Sequence, residues 1–286
     1  MFQRSGGSVD LQGRVALVTG AARGIGRATA LALADAGAQL IISDVNAAAL
    51  DELAATLRER GRLLLAQTVD VSSRTAMADF AQAVHAQVPA VDVLVNNAGV
   101  GLSGGIESTT LDDWQWVLGV NLWGVIHGCH YFVPKMIEQA KLGGAPGHVV
   151  NVSSAFGYYG GSRTIGYCTS KFAVFGLSES LRNELAPHGI GVSVICPGVI
   201  DTDIISTTRI SAEPGRSPDR MRERVQKMYK KRNYPPEGVA EAIVEAVRCR
   251  RAVVPVTAEA WLLWFTSRVS AKLSHRFGNL ANRRID

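Results

Sequence analysis

The stretch RVALVTGAARGIGRATALALADAG, Arg14–Gly37, decides the fold. Arg14 to Thr19 is a short apolar run with the character of a buried strand. Gly20, Gly24, Ile25 and Gly26, with Arg23 between, make a glycine-rich turn. A helical pattern rich in Ala and Leu follows and stops at Gly37. Strand, glycine turn and helix together let backbone N–H groups at a helix N-terminus approach a pyrophosphate. The spacing G-x-x-x-G-x-G differs from the commoner G-x-G-x-x-G, so the context carries the reading more than the letters do.

Outward from that unit the chain keeps alternating. Gln39 to Ser43 reads as a strand ending in Asp44, about 20 residues beyond the turn, where a carboxylate can accept hydrogen bonds from a ribose. The same carboxylate would repel a 2′-phosphate, which favours NAD over NADP; Arg23 dissents, since it can reach such a phosphate. Asp44 also reads as an N-cap for the next helix, and both roles can hold. Arg62 to Val69 is a predicted strand, with Asp70 and Val71 at its end placed to meet an adenine edge. A helix over Ser72–Gln87 and a strand over Val91–Val95 lead into Asn96, Asn97, Ala98 and Gly99, whose small residues leave room for a flat ligand. Trp114 to Lys141 is mostly helical, and Pro134 is expected to kink or divide it. Asn121 interrupts its apolar stretch, as a structural or a functional hydrogen-bonder. The strand HVVNV from His148 ends in Ser153 and Ser154. A helix then carries Tyr167 and Lys171 and runs to about His188, with Gly189 as its stop. Gly191 to Ile195 is a further strand, followed by Pro197, Gly198, Val199 and Thr202. This βα alternation predicts one Rossmann-like, doubly wound parallel sheet with helices on both faces, over residues 1–256.

Tyr167 and Lys171 lie four residues apart and share a helix face. An ammonium there favours a phenolate, so the pair can pass a proton to or from an alcohol or ketone near neutral pH. A serine from the preceding strand end can hold the substrate oxygen. By itself the pair also reads as an ordinary helix surface pair.

Composition fits a globular chain: 286 residues, 47% hydrophobic and 19% charged, with no apolar run long enough to span a membrane and no apolar leader at the N-terminus. Cys129, Cys168, Cys196 and Cys249 are scattered, which predicts reduced thiols, no metal site and a cytoplasmic setting. The net charge of +5 gathers between Arg209 and Arg232 and again from Arg268 to Arg284. These groups read as solvated faces or as a surface for anionic lipid or another acidic ligand. No nucleic-acid module is recognisable.

Taken jointly, TGAARGIG at Thr19–Gly26, Asp44, Asp70, NNAG at Asn96–Gly99, Asn121, Ser154, Tyr167, Lys171 and PGVIDT at Pro197–Thr202 resemble the short-chain dehydrogenase/reductase family. Tyr167 stands thirteen positions after Ser154, the family's spacing, which selects Ser154 over Ser153. The resemblance implies an NAD-dependent interconversion of a secondary alcohol and a ketone. Tyr167 would be the acid/base. Lys171 would lower its pKa and bind the nicotinamide ribose. Ser154 would hold the substrate oxygen, and Asn121 a water linking Lys171 to solvent. Gly20, Arg23, Gly24, Ile25, Gly26, Asp44, Asp70, Val71, Asn97, Ala98, Gly99, Pro197, Gly198, Val199 and Thr202 would line the dinucleotide. It also implies a homodimer or homotetramer. A protein that senses a dinucleotide without turnover is the rival, as is an NADP-dependent ketone reductase.

Residues 202–234 resemble the family's substrate lid, with SAEPGRSPDR expected to be mobile. Ile204 and Phe156, with Ile205, Tyr158 and Tyr159, suggest an apolar pocket for a hydrophobic substrate, although aromatics after a strand also serve packing. Residues 257–286 form an amphipathic extension. Trp261, Trp264, Phe265, Arg268 and Lys272 suit either a helix packed on the protein or one making peripheral contact with a membrane.

Overall fold

The computed structural model describes residues 9–202, 204–211 and 217–270. In chain order the elements are β1 (Val15–Thr19), α1 (Gly24–Asp35), β2 (Gln39–Asp44), α2 (Ala47–Glu59), β3 (Leu63–Thr68), α3 (Arg74–His85), β4 (Val93–Asn96), β5 (Leu102–Ser103), α4 (Leu111–Leu118), α5 (Gly124–Lys141), β6 (His148–Val152), α6 (Ile165–Leu185), β7 (Gly191–Cys196), α7 (Ile204–Thr207), β8 (Arg209–Ile210), α8 (Pro218–Arg232), α9 (Pro236–Cys249), β9 (Val253–Pro255) and α10 (Ala258–Val269). Seven strands form one sheet in the order β3-β2-β1-β4-β6-β7-β9. Every pairing is parallel, so all the carboxyl ends lie along one edge. The chain winds outward from β1 through β3 and then returns to β4 on the other side of β1. That reversal opens a crevice between the loops after β1 and β4.

Side-chain alternation along each strand builds the two packed layers. Ala16, Val18, Leu40, Ile42, Val93, Val95, Val150 and Val152 face a layer that includes Leu33 of α1, Leu53 of α2 and Ile243 of α9. Leu17, Ile41, Leu94, Val149 and Val192 face Met77 and Phe80 of α3, Phe132 of α5, and Val174 and Leu181 of α6. Both faces of the central strands are apolar, as expected for a parallel sheet covered on both sides.

Local chemistry sets the helix ends. The Asn46 side chain accepts from the Ala49 amide at 3.1 Å and caps α2, so Asn46 rather than Asp44 is that helix's N-cap. Ser73 caps α3 in the same way, and Thr110 with Asp113 forms a capping box on α4. Gly189 ends the 3₁₀ turn after α6 with φ of 67°, in the left-handed region that glycine adopts without strain. Of the two outcomes expected at Pro134, a kink or a division, division does not occur, because α5 runs through it. The irregularity falls instead on Gly119–Trp123, a π-helical turn centred on Asn121.

The glycine loop depends on close backbone approach. A Cβ at Gly26 would stand 2.0 Å from the Gly20 carbonyl oxygen, and one at Gly20 would stand 2.6 Å from the Ala98 Cα. Gly26→Ala is therefore expected to destabilise the fold by about 2 kcal/mol or more, since overpacking against backbone cannot be relieved by a rotamer change. Urea melts of the purified variant check this; wild-type stability would refute the close approach.

Candidate active site

Parallel pairing brings the candidate residues to one edge. Thr19 pairs with Ser43, Asn96 with Asn151, and Val152 with Ile195, so the loops that follow these strands start at similar height. The Thr19 hydroxyl accepts from the amides of Asn97 and Ala98 at 3.1 and 3.2 Å. The Asn97 side chain donates to the carbonyls of Thr19 and Gly20 at 3.0 and 2.9 Å. Asn97 thus staples the glycine loop to the end of β4. Thr19 opens the TGAARGIG motif, but its sequence context gives it no site role of its own.

Helix α1 begins after Arg23 with no side-chain cap and no acidic residue in its first turn. A helix N-terminus without its own acceptor, beside glycines too tightly placed to carry a Cβ, fits the phosphates of a dinucleotide. The Asp44 carboxylate at the end of β2 accepts from the amides of Ala22 and Asn46, both at 2.9 Å. These bonds fix its position next to the loop. The Thr202 methyl group lies 3.2 Å from where a Gly24 Cβ would be, so the loop after β7 reaches across to the start of α1. Asp70 and Val71 follow β3, the edge strand, and directly before them the Val69 amide donates to the Asp44 carbonyl at 2.9 Å. Asp70 accepts from the Ser72 amide and hydroxyl, and a Cβ added at Gly124 of α5 would meet the Val71 side chain at 2.7 Å.

Lys171 is the centre of the second group of candidate residues. It is buried, and its Nζ donates to the Val152 carbonyl at 3.0 Å. Its own carbonyl accepts from the Ser153 hydroxyl at 2.8 Å. The first turns of α6 are thereby tied twice to the end of β6, and Ser153 is committed to that tie. Lys171 Nζ stands 5.7 Å from the centre of the Tyr167 ring. A Cβ at Gly99 would meet both Lys171 Nζ and Asn121 Oδ1 at 3.4 Å, which brings these groups around one turn. Asn121 Oδ1 accepts from the Val100 amide at 2.8 Å, and its Nδ2 donates to the Val100 carbonyl and the Ser170 hydroxyl at 3.0 and 3.1 Å. Its side chain is a latch between the Gly99–Val100 turn and α6.

Ser154 is linked to Tyr167 through Phe156. The Phe156 amide donates to Ser154 Oγ at 3.2 Å, and the Phe156 ring meets the Tyr167 ring edge-on with centres 6.1 Å apart. Ser154 Oγ also lies 3.5 Å from the Pro197 carbonyl, which accepts from the Ala155 amide at 2.8 Å. Contacts thus run from Pro197 to Ser154, from Ser154 to Phe156 and from Phe156 to the Tyr167 ring. Tyr158 has the packing role that its sequence context also allowed: it is buried, and its hydroxyl donates to the Ala260 carbonyl of α10 at 2.7 Å. Tyr159 is buried in the same small cluster, with Phe175 and Ala260. Gly198 has a packing role that its sequence context does not reveal, because a Cβ there would strike Thr257 Oγ1 at 2.2 Å.

The segment that resembles the family's lid is tied to the body near its start. Leu102 pairs with Arg209 and Ser103 with Ile210, joining β5 to β8. Arg222 is not one of the solvated cations: its guanidinium donates to the carbonyls of Ile205, Ser206 and Thr208 at 2.7, 2.8 and 3.1 Å. Ile204 opens α7, and Ile205 beside it is buried. Residues 212–216, in the stretch expected to be mobile, lie outside the described residues. So do Lys272 and the basic residues beyond it. Helix α10 packs on the body through Ala260 and Thr266, while Trp261, Leu262, Phe265 and Val269 are exposed. No helix among the described residues is long and apolar enough to cross a membrane.

Burial of the Lys171 ammonium pulls its pKa from 10.5 down to about 8. Between those values the unfolded chain binds more protons than the folded one, so this side chain's contribution to stability rises with pH across that window. The stability difference between the wild type and Lys171→Met should shift in favour of the wild type from about pH 7 to about pH 9. Paired urea melts at the two pH values measure it, and a flat difference would show that the ammonium is not desolvated.

Known proteins share this arrangement. The short chain dehydrogenase family model matches residues 14–212. The chain is 42% identical over 255 residues to "Probable oxidoreductase EphD" of Mycobacterium tuberculosis, which covers 88% of this chain and 42% of that protein. It therefore spans about two fifths of that relative's length. It is 40% identical over 204 residues to "C alpha-dehydrogenase" of a Sphingobium species, covering 70% of this chain and 65% of the relative. A short chain dehydrogenase/reductase from Burkholderia phymatum, solved in complex with NAD, superposes with a TM-score of 0.82 at 31% identity, over 91% of this chain and 96% of that one. With the glycine loop, the buried Lys171 and the neighbouring Tyr167 and Ser154 in place, the chain belongs to the short-chain dehydrogenase/reductase family of oxidoreductases.

Proposed function

We propose that this protein is an NAD-dependent oxidoreductase that interconverts a secondary alcohol and a ketone on a hydrophobic substrate. The observation that carries this reading is the buried Lys171 ammonium, tied to the end of β6 and 5.7 Å from the Tyr167 ring. A bound nicotinamide dinucleotide would supply the hydride acceptor for oxidation and the donor for reduction. Gly20, Arg23, Gly24, Ile25 and Gly26 would hold its phosphates, Asp44 its adenosine ribose, and Asp70 and Val71 the adenine edge. Asn97, Ala98 and Gly99 would line its middle, and Pro197, Gly198, Val199 and Thr202 the nicotinamide end.

In the oxidation direction Ser154 Oγ holds the substrate hydroxyl and Tyr167 takes its proton. Lys171 stabilises the phenolate that receives it, because a positive charge nearby favours the charged form of a phenol. In reduction Tyr167 returns the proton to the developing alkoxide. Asn121 keeps α6 and the Gly99 turn in register. With its side-chain amide engaged, its main chain is left to hold the relay water that the family resemblance implies. The apolar character of the substrate rests on Phe156 against Tyr167 and on Ile204 and Ile205 in α7. One relative's name, C alpha-dehydrogenase, and one neighbour's complex with NAD support the same direction.

Members of the family are commonly oligomeric. Half-exposed Trp123 at the start of α5 and Phe172 on α6 support a homodimer or homotetramer formed through that side of the molecule.

Two outcomes test the reading. Tyr167→Phe should abolish turnover in a screen of hydrophobic alcohols and ketones while leaving NADH binding intact; retained turnover would remove Tyr167 from the mechanism. Wild-type protein should bind NADH more tightly than NADPH by roughly ten-fold, about 1.4 kcal/mol, because the fixed Asp44 carboxylate opposes a 2′-phosphate. Asp44→Ala should narrow that ratio in a fluorescence titration, and an unchanged ratio would assign the discrimination elsewhere.

A further inference from the structure

Glu259 lies in the first turn of α10, outside the sheet and far from the dehydrogenase motifs in sequence. Its Oε1 accepts from the Val199 amide at 3.3 Å. Its Oε2 pairs with the guanidinium of Arg232, the last residue of α8. One carboxylate therefore joins the loop after β7 to the far end of the lid. Neither contact is accidental to the path of the chain. Gly198 has no side chain where a Cβ would fall 2.6 Å from Glu259 Oε1, so the loop can approach α10 only at a glycine. Thr257 caps α10 and Tyr158 donates to the Ala260 carbonyl, which fixes the turn that carries Glu259. On the lid side, Asn233 adopts φ of 47° and turns the chain sharply after Arg232. The Asp201 amide then donates to the Tyr234 carbonyl at 2.9 Å, closing the stem of the lid.

We propose that Glu259 is a positioning residue, a clasp from the C-terminal extension that makes order in the lid and binding of the dinucleotide interdependent. It rests on the reading of Val199 as part of the nicotinamide end. The physical logic is that of two ligands sharing one ordering cost. Arg232 restrains the Glu259 carboxylate, and the restrained carboxylate restrains the Val199 amide. A lid that lets go of Glu259 therefore loosens the wall against which the dinucleotide rests. The pair is partly exposed, so its effect is modest, and its signature is coupling rather than size.

The test is a double-mutant cycle on the full chain, using Glu259→Ala, Arg232→Ala and the double variant. Glu259→Gln serves as the conservative variant: it keeps an acceptor for Val199 and removes the ion pair. In nucleotide-free protein, Glu259→Ala should speed deuterium uptake in the peptides spanning Val199 and α8. Arg232→Ala and Glu259→Gln should speed uptake chiefly in α8. For NADH, each single variant should raise Kd by about three- to five-fold, and the double variant should be no weaker than the weaker single one. Additive losses, or Kd values and uptake within error of the wild type, would overturn the clasp. Wild-type protein that binds neither NADH nor NADPH would defeat the proposed function instead. The uptake comparison would then still decide the clasp: no change in α8 on loss of either partner would refute it.

Discussion

A buried ammonium that must find oxygen acceptors organises this site. Lys171 is removed from water, so its charge is costly unless something takes its hydrogen bonds. The Val152 carbonyl does so at 3.0 Å, at the point where β6 ends and the sheet can no longer use that oxygen in the same way. The Ser153 hydroxyl, one residue on, closes a second bond to the carbonyl of the same lysine. A helix seated by both its side chain and its backbone cannot slide along the strand end without breaking both. The position of Tyr167, one turn earlier on α6, follows from that seating. The depressed pKa of Lys171 is the cost of the same burial.

A second set of buried polar bonds carries the restraint through the sheet. Asn96 donates to Asn151 at 2.9 Å, Asn151 to Ser178 at 3.0 Å, and Ser178 to the Val174 carbonyl at 2.7 Å. The path runs from β4 across β6 into α6, beneath the turn that bears Lys171. Hydrogen bonds between buried side chains contribute geometric specificity. Here they pin α6, which carries Tyr167 and Lys171, to the strand whose end meets the glycine loop.

Much of the fold was legible because its instructions are local. Strand and helix periodicities, the glycine turn and the Tyr167–Lys171 spacing each lie within a few residues, and together they order the sheet. What escaped was either a choice between neighbours or a contact between distant segments. Asp44 and Asn46 both suit an N-cap; the backbone gives that role to Asn46, leaving the Asp44 carboxylate to brace Ala22. Pro134 reads as the breaker of its helix, yet the irregular turn sits at Asn121, where a side chain bonded to Val100 on a separate loop competes with helical geometry. Tyr158 looks like a pocket aromatic because nothing near it in sequence announces Ala260, its partner 102 residues away. Arg222 and Glu259 were unreadable for the same reason, since their partners are carbonyls and amides on other segments.

The bond from Tyr158 to Ala260 changes how the carboxyl-terminal segment should be regarded. In linear order it is an appendage to a complete dinucleotide-binding sheet. In space it buttresses the turn that follows Ser154 on one side and abuts Gly198 on the other. A change in that helix therefore bears on the turn after Ser154 and on the loop at Gly198 together, although it lies outside the sheet.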